Sequence, residues 1–241
     1  MQKDIKGVLY FLFANVRYPL GVFWTILFSI YLISILFSVI SGNENVLFQA
    51  SIPIYIFCLV LGMWTVKNTI PYLLNMSVTR KLIFISVGIY FLLLAIFQAV
   101  LANTLTIFIS LIGMKAMSGE VSLIDGDQEF TFYFTHLSQF LQNDTLMSQI
   151  MIDTIICFVA LSSMFLVGLI FYRFGLVGGF SFLGALFIIY ILSIAQGSFI
   201  DLVTYFIDNY SMKLYFQVFA LAFLLYLLSY IFLRRITTKA P

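Results

Sequence analysis

The chain has 241 residues, of which 63% are hydrophobic and only 9% charged, with a formal net charge of +2. A soluble globular domain carries about 25% charged residues, so this composition excludes a water-soluble fold and points to an all-α, polytopic membrane protein. The small net charge names no partner and gives no sign of nucleic-acid binding; where the charges sit is more informative.

The first 18 residues, MQKDIKGVLYFLFANVRY, are too charged to span a bilayer. Lys3, Lys6, Gly7, Ala14 and Arg17 recur at helical spacing, with Ile5, Leu9, Leu12, Phe13 and Val16 between them. This predicts an amphipathic helix lying in the membrane interface. The segment lacks the small-residue site of a cleavable signal. Pro19 suits a helix start and is expected to turn the chain into the first span. Tyr18 and Trp24 suit the boundary zone.

A crossing needs about 20 apolar residues. On that basis six spans are predicted, at 19–40, 48–66, 82–112, 150–171, 176–195 and 214–233. The third would reach about 46 Å at about 1.5 Å per residue. It must tilt, break or project, with Gln98, Asn103 and Thr104 marking the expected break. Cys58 and Cys157 fall within spans, which leaves two readings: small buried hydrophobes or a redox pair.

The connecting segments alternate in charge. Lys3, Lys6, Arg17, Lys67, Arg80, Lys81, Arg173, Arg234, Arg235 and Lys239 share one side, which leaves only Lys115 and Lys213 of the 12 cations for the other. Glu44, Glu120, Asp125, Asp127, Glu129, Asp144, Asp201 and Asp208 lie opposite the cations. By the positive-inside rule both termini are expected to be cytoplasmic. The outer connections are a short turn at 41–47, a long acidic segment at 113–149 holding the single histidine, His136, and a segment at 196–213 whose apolar spacing suggests a short helix on the outer leaflet.

No GxxxxGK[ST], HExxH or GxSxG motif is present, so no nucleotide cradle, zinc-protease site or serine nucleophile is expected. One acid, Asp153, falls inside a span, about one turn from its predicted outer end. It either snorkels to the outer surface or, with Gln98 and Asn103, lines a transport path. The chain itself is read as no enzyme and as binding no cofactor.

The segment between the second and third spans, KNTIPYLLNMSVTRK (67–81), is basic yet unusually apolar. Pro71 is a favourable first-turn residue, and Tyr72, Leu73, Leu74, Asn75 and Met76 can form one to two helical turns. Ser77 or Thr79 can cap the next span, with Arg80 and Lys81 at the membrane interface. The turn would present Leu73, Leu74 and Met76 as an apolar knob for a soluble partner. The other reading is an ordinary loop with its apolar residues on the lipid.

The order of amphipathic entry helix, two spans and a short cytoplasmic helix ending in MSVTRK (76–81) resembles the permeases of ABC-2-type exporters and their LPxSR pattern. Here Met76-Ser77 stands where that family commonly has Leu-Pro. The resemblance implies that the short helix, from Asn68 to Lys81, docks on a separate ATPase subunit, with Arg173 and Phe174 as a second, smaller contact. It implies two ATPases that bind ATP and Mg, a second permease of the same or a related kind, and a bacterial plasma-membrane setting. It further implies export of a hydrophobic or amphipathic substrate such as a peptide. A stand-alone channel or secondary carrier, and a membrane scaffold or sensor, are the competing classes.

Overall fold

The computed structural model describes residues 2–41, 51–76, 78–111, 146–197 and 212–234. These are helical almost throughout: α1 (Gln2–Ser41), α2 (Ser51–Trp64), a π-helical turn (Thr65–Thr69), α3 (Ile70–Asn75), α4 (Arg80–Leu111), α5 (Leu146–Ala195) and α6 (Met212–Arg234). Among the described residues, five helical stretches are long and apolar enough to cross a membrane, so the chain is built as a multi-pass membrane protein. The expected outer segments 41–47, 113–149 and 196–213 fall wholly or mostly outside the described residues.

The interfacial helix and the first span prove to be one helix of 40 residues with Pro19 inside it. An interior proline costs about 3 kcal/mol. The helix survives because one stripe packs inward on both sides of it: Val8, Leu12 and Val16 before Pro19, Leu27 and Tyr31 after. The amphipathic pattern is therefore real, but its apolar stripe meets protein rather than the lipid surface.

The second span does not end at Val66. A π-helical stretch, closed by an i to i+5 bond from the Ile70 amide to the Thr65 carbonyl, makes a wide turn, after which helix continues to Asn75. The expected short cytoplasmic helix is thus an extension of α2 rather than a separate element. The third span is likewise continuous through Gln98, Asn103 and Thr104. No break forms there because Asn103 Nδ2 and Thr104 Oγ1 bond back to the carbonyls of Ala99 and Val100, at 2.9 and 2.7 Å. The polar groups are satisfied within the helix.

The fourth and fifth expected spans are joined without a four-residue turn. Tyr172, Arg173 and Phe174 stay helical, and only Gly175 departs, at φ 73° and ψ −174°. That conformation is nearly confined to glycine. Residues nine apart in a straight helix lie about 13.5 Å apart along the axis, yet the Phe171 and Phe180 rings meet at 5.5 Å. The chain therefore bends sharply at Gly175, dividing α5 into a first limb (146–174) and a second (176–195).

The first limb of α5 is the hub of the fold. It runs parallel to α2, as the pairings Tyr55 with Asp153, Gly62 with Leu161 and Val66 with Gly168 show. Gly62 and Gly168 let these helices approach closely; a Cβ at Gly62 would lie 2.6 Å from the Leu161 carbonyl oxygen. The first limb also runs parallel to α6, through Phe158 with Phe219, Phe165 with Tyr226 and Phe174 with Phe232. It is antiparallel to α4, where Phe91 meets Phe165. Tyr226, buried among Phe84, Phe91, Phe158 and Phe165, donates its hydroxyl to the Phe84 carbonyl at 2.5 Å. The second limb, by contrast, is exposed along most of its length.

Candidate functional site

Two places concentrate polar chemistry. The first lies inside the helix bundle, near the start of α5. Asp153 is only 2% exposed. Tyr55 of α2 donates to its Oδ1 at 2.7 Å, and Asn103 of α4 donates to its Oδ2 at 2.8 Å. One turn along α4, Gln98 accepts at Oε1 from the Trp24 indole of α1 at 2.9 Å. Its Nε2 is buried without a hydrogen-bond partner. Ser51, Tyr55, Gln98, Asp153 and Cys157 line a narrow crevice here together with Ile54, Ala99 and Ala102.

The sequence places Asp153, Gln98 and Asn103 on two spans, and the fold brings all three into this cluster. Asp153 does not snorkel to a surface: it turns inward because Tyr55 and Asn103 supply two donors to its two oxygens. Buried carboxylates persist where such bonds replace water. Tyr55 and Ser51 are not marked out by the sequence pattern, and Trp24 lies inside the bundle instead of at the expected membrane boundary. A tyrosine or tryptophan within an apolar span needs a partner for its O–H or N–H, and that requirement was the available signal. Cys58 and Cys157 are both buried free thiols, each within one turn of the Tyr55–Asp153 bond.

The second place is the cation-bearing end of the bundle. α3 has two faces. Ile70 and Leu73 are buried, Leu73 being 1% exposed. Tyr72 and Met76, 47% and 57% exposed, share the opposite face with Asn75. Spacing of three and four residues puts these side chains together. The expected knob of Leu73, Leu74 and Met76 is therefore corrected: Leu73 anchors the segment and Leu74 is half-buried, while Tyr72 takes their place outside. Pro71 is half-buried in the first turn, as its geometry favours. Ser77 lies outside the described residues.

α1 braces this segment. Phe11 stacks on Tyr72 at 4.7 Å, and Asn15 Nδ2 donates to Thr69 Oγ1 at 3.0 Å. Lys67, Asn68, Thr79 and Lys81 are exposed beside it. Arg80 is half-buried and donates to the Arg234 carbonyl at the end of α6. Arg173 lies over the rings of Phe174 and Phe232, at 4.9 and 5.8 Å. Phe174 itself is exposed.

No protein-family model, curated protein or solved structure matches this chain. The two sites therefore stand on their own geometry. The inner cluster can hold polar or charged groups within an apolar bundle. The outward face of α3, with Tyr72, Asn75 and Met76, is not covered by the described residues.

Proposed function

We propose that this chain is the membrane-spanning permease subunit of an ATP-driven exporter. The observation that carries the reading is the helical extension past the π turn. Ile70 and Leu73 lock it into the bundle, while Tyr72, Asn75 and Met76 face outward beside Lys67 and Lys81. A rigidly anchored helix end with an exposed aromatic and cationic face suits transmission of force from a soluble ATPase into the spans. Because α6 is parallel to the first limb of α5, the second limb supports a return crossing, giving six spans with both termini on the cationic, cytoplasmic side. ATP and Mg would be held by two ATPase subunits, a second permease copy or relative would complete the path, and the setting is a bacterial plasma membrane. The substrate class is a hydrophobic or amphipathic molecule such as a peptide.

The test is co-purification with the ATP-binding protein expected from the neighbouring reading frame. Replacing Tyr72 and Met76 together by Asp should release that ATPase while the helical content of the permease is kept. Retention of the ATPase by this variant would refute the docking face.

The buried Asp153 favours a second reading, an ion-coupled carrier that works alone, because ionisable groups held inside a membrane bundle commonly mark transport paths. Solute flux from the purified chain in liposomes, without ATP or partner, decides for it.

A further inference from the structure

Three arginines from three helices meet at the last turn of α6. Arg80, at the start of α4, donates to the Arg234 carbonyl; Arg173, at the end of the first limb of α5, lies over Phe232; and Arg234 is itself exposed. Lys81 is exposed next to Arg80. Asp153 is the one acidic residue whose side chain is described, and it lies 20 residues before Arg173 on the same helix. At 1.5 Å per residue that is about 30 Å away. Among the described side chains, then, no carboxylate is close enough to neutralise this cluster.

Immediately beyond Arg173 the surface changes character. Phe174, Leu176, Val177 and Phe180 are all exposed, Val177 by 81%. Gly175 bends the chain so that this apolar ledge begins where the cations end. We infer that this end of the bundle binds an anionic glycerophospholipid. Its headgroup phosphate sits among Arg80, Arg173 and Arg234, and its acyl chains lie along Phe174, Leu176, Val177 and Phe180.

Guanidinium groups suit phosphate because their forked donors match its oxygens. Arginine stacked on an aromatic ring is held in place beforehand, so less side-chain freedom is lost on binding. An acidic protein segment would use the cations but leave the apolar ledge uncovered, whereas a phospholipid covers both. The inference stands whether or not the chain carries a solute.

The test uses the full chain, delipidated in a neutral detergent. Short-chain phosphatidylglycerol, short-chain phosphatidylcholine, inorganic phosphate and a polyglutamate peptide are compared as probes by native mass spectrometry and melting temperature. Phosphatidylglycerol is expected to bind and to raise the melting temperature, with the zwitterionic lipid well behind. Arg80→Gln and Arg173→Gln should each weaken its binding about fivefold, and Arg173→Lys should recover part of the loss. On the unaltered chain, affinity should fall as salt rises, a readout that does not depend on any variant folding. Equal binding of the two lipids, salt-independent binding, or full binding by the Arg80→Gln/Arg173→Gln chain would overturn the site. So would a melting shift reproduced by phosphate alone, or capture of polyglutamate in preference to the lipid.

Discussion

Gly62→Ala and Gly184→Ala are the same chemical change with opposite expected signs. At Gly62 the new methyl would lie 2.6 Å from the Leu161 carbonyl oxygen and 3.2 Å from both Met164 Cβ and the Phe165 amide nitrogen. Two of these atoms are backbone, so no side chain can swing aside. A comfortable carbon–oxygen contact is at least about 3.3 Å, so α2 and α5 must separate by roughly 0.7 Å. Overpacking of this kind costs about 1–3 kcal/mol, against a gain of at most about 1 kcal/mol from replacing a helical glycine. At Gly184 a Cβ meets nothing within 4 Å, so only the gain of up to about 1 kcal/mol remains. Reversible unfolding in mixed detergent micelles, followed by circular dichroism, should place the two variants on opposite sides of the parent, about 1–3 kcal/mol apart. The separation at Gly62 should also stretch the Tyr55–Asp153 bond, two turns away on α2. If Gly62→Ala is as stable as the parent, the close parallel packing of α2 on α5 is wrong.

Other residues make independent tests. Tyr55→Phe keeps the ring and removes one donor to Asp153; bonds of this kind inside membrane bundles are worth about 0.6 kcal/mol and at most about 1.7, so a small loss in the same unfolding assay is expected. Asp153→Leu, which takes the Asp153 acceptor from the Tyr55 hydroxyl and leaves the Asn103 amide with the Ala99 carbonyl alone, should cost clearly more than Tyr55→Phe. Gly175→Ala must adopt a conformation nearly closed to other residues, at about 1–3 kcal/mol, and fewer disturbances should follow from Gly7→Ala, where the backbone is ordinary and a Cβ meets nothing within 4 Å. Trp24→Phe breaks the bond to Gln98, and the loss should appear as a lower unfolding free energy with helical content unchanged.

Much of the helical layout was legible because apolar length is a strong signal. The expected span at 214–233 falls within α6, and Arg80, Arg173 and Arg234 fall where apolar runs give way to charge. The continuity of helices was harder to read. Pro19, Lys67 and Asn103 each look like interruptions in a linear pattern, yet tertiary packing, a wide helical turn and a back-bond to Ala99 carry the helix through them. Asp153, Gln98 and Asn103 could be singled out as unusual polar residues in apolar spans. Their meeting through Tyr55 depends on α2 lying parallel to α5, a pairing between helices distant in sequence that no local spacing encodes. Leu73 and Tyr72 show the same limit at short range. Both are apolar enough to face a partner, and the phase that turns one in and the other out is set by the extra residue of the preceding turn.

That extra residue has a mechanical consequence. Between Thr65 and Thr69 the helix takes in one residue more than an α-helical turn would hold. Tightening the turn to ordinary α geometry would swing everything beyond it by about 100° around the axis of α2 and shift it by about 1.5 Å along it. Ile70 and Leu73 would leave the bundle and a different side of α3 would face outward. The exposed face of Tyr72, Asn75 and Met76 is thus tied to this one wide turn, and the contacts Phe11–Tyr72 and Asn15–Thr69 act as detents that hold the segment in its present angular setting.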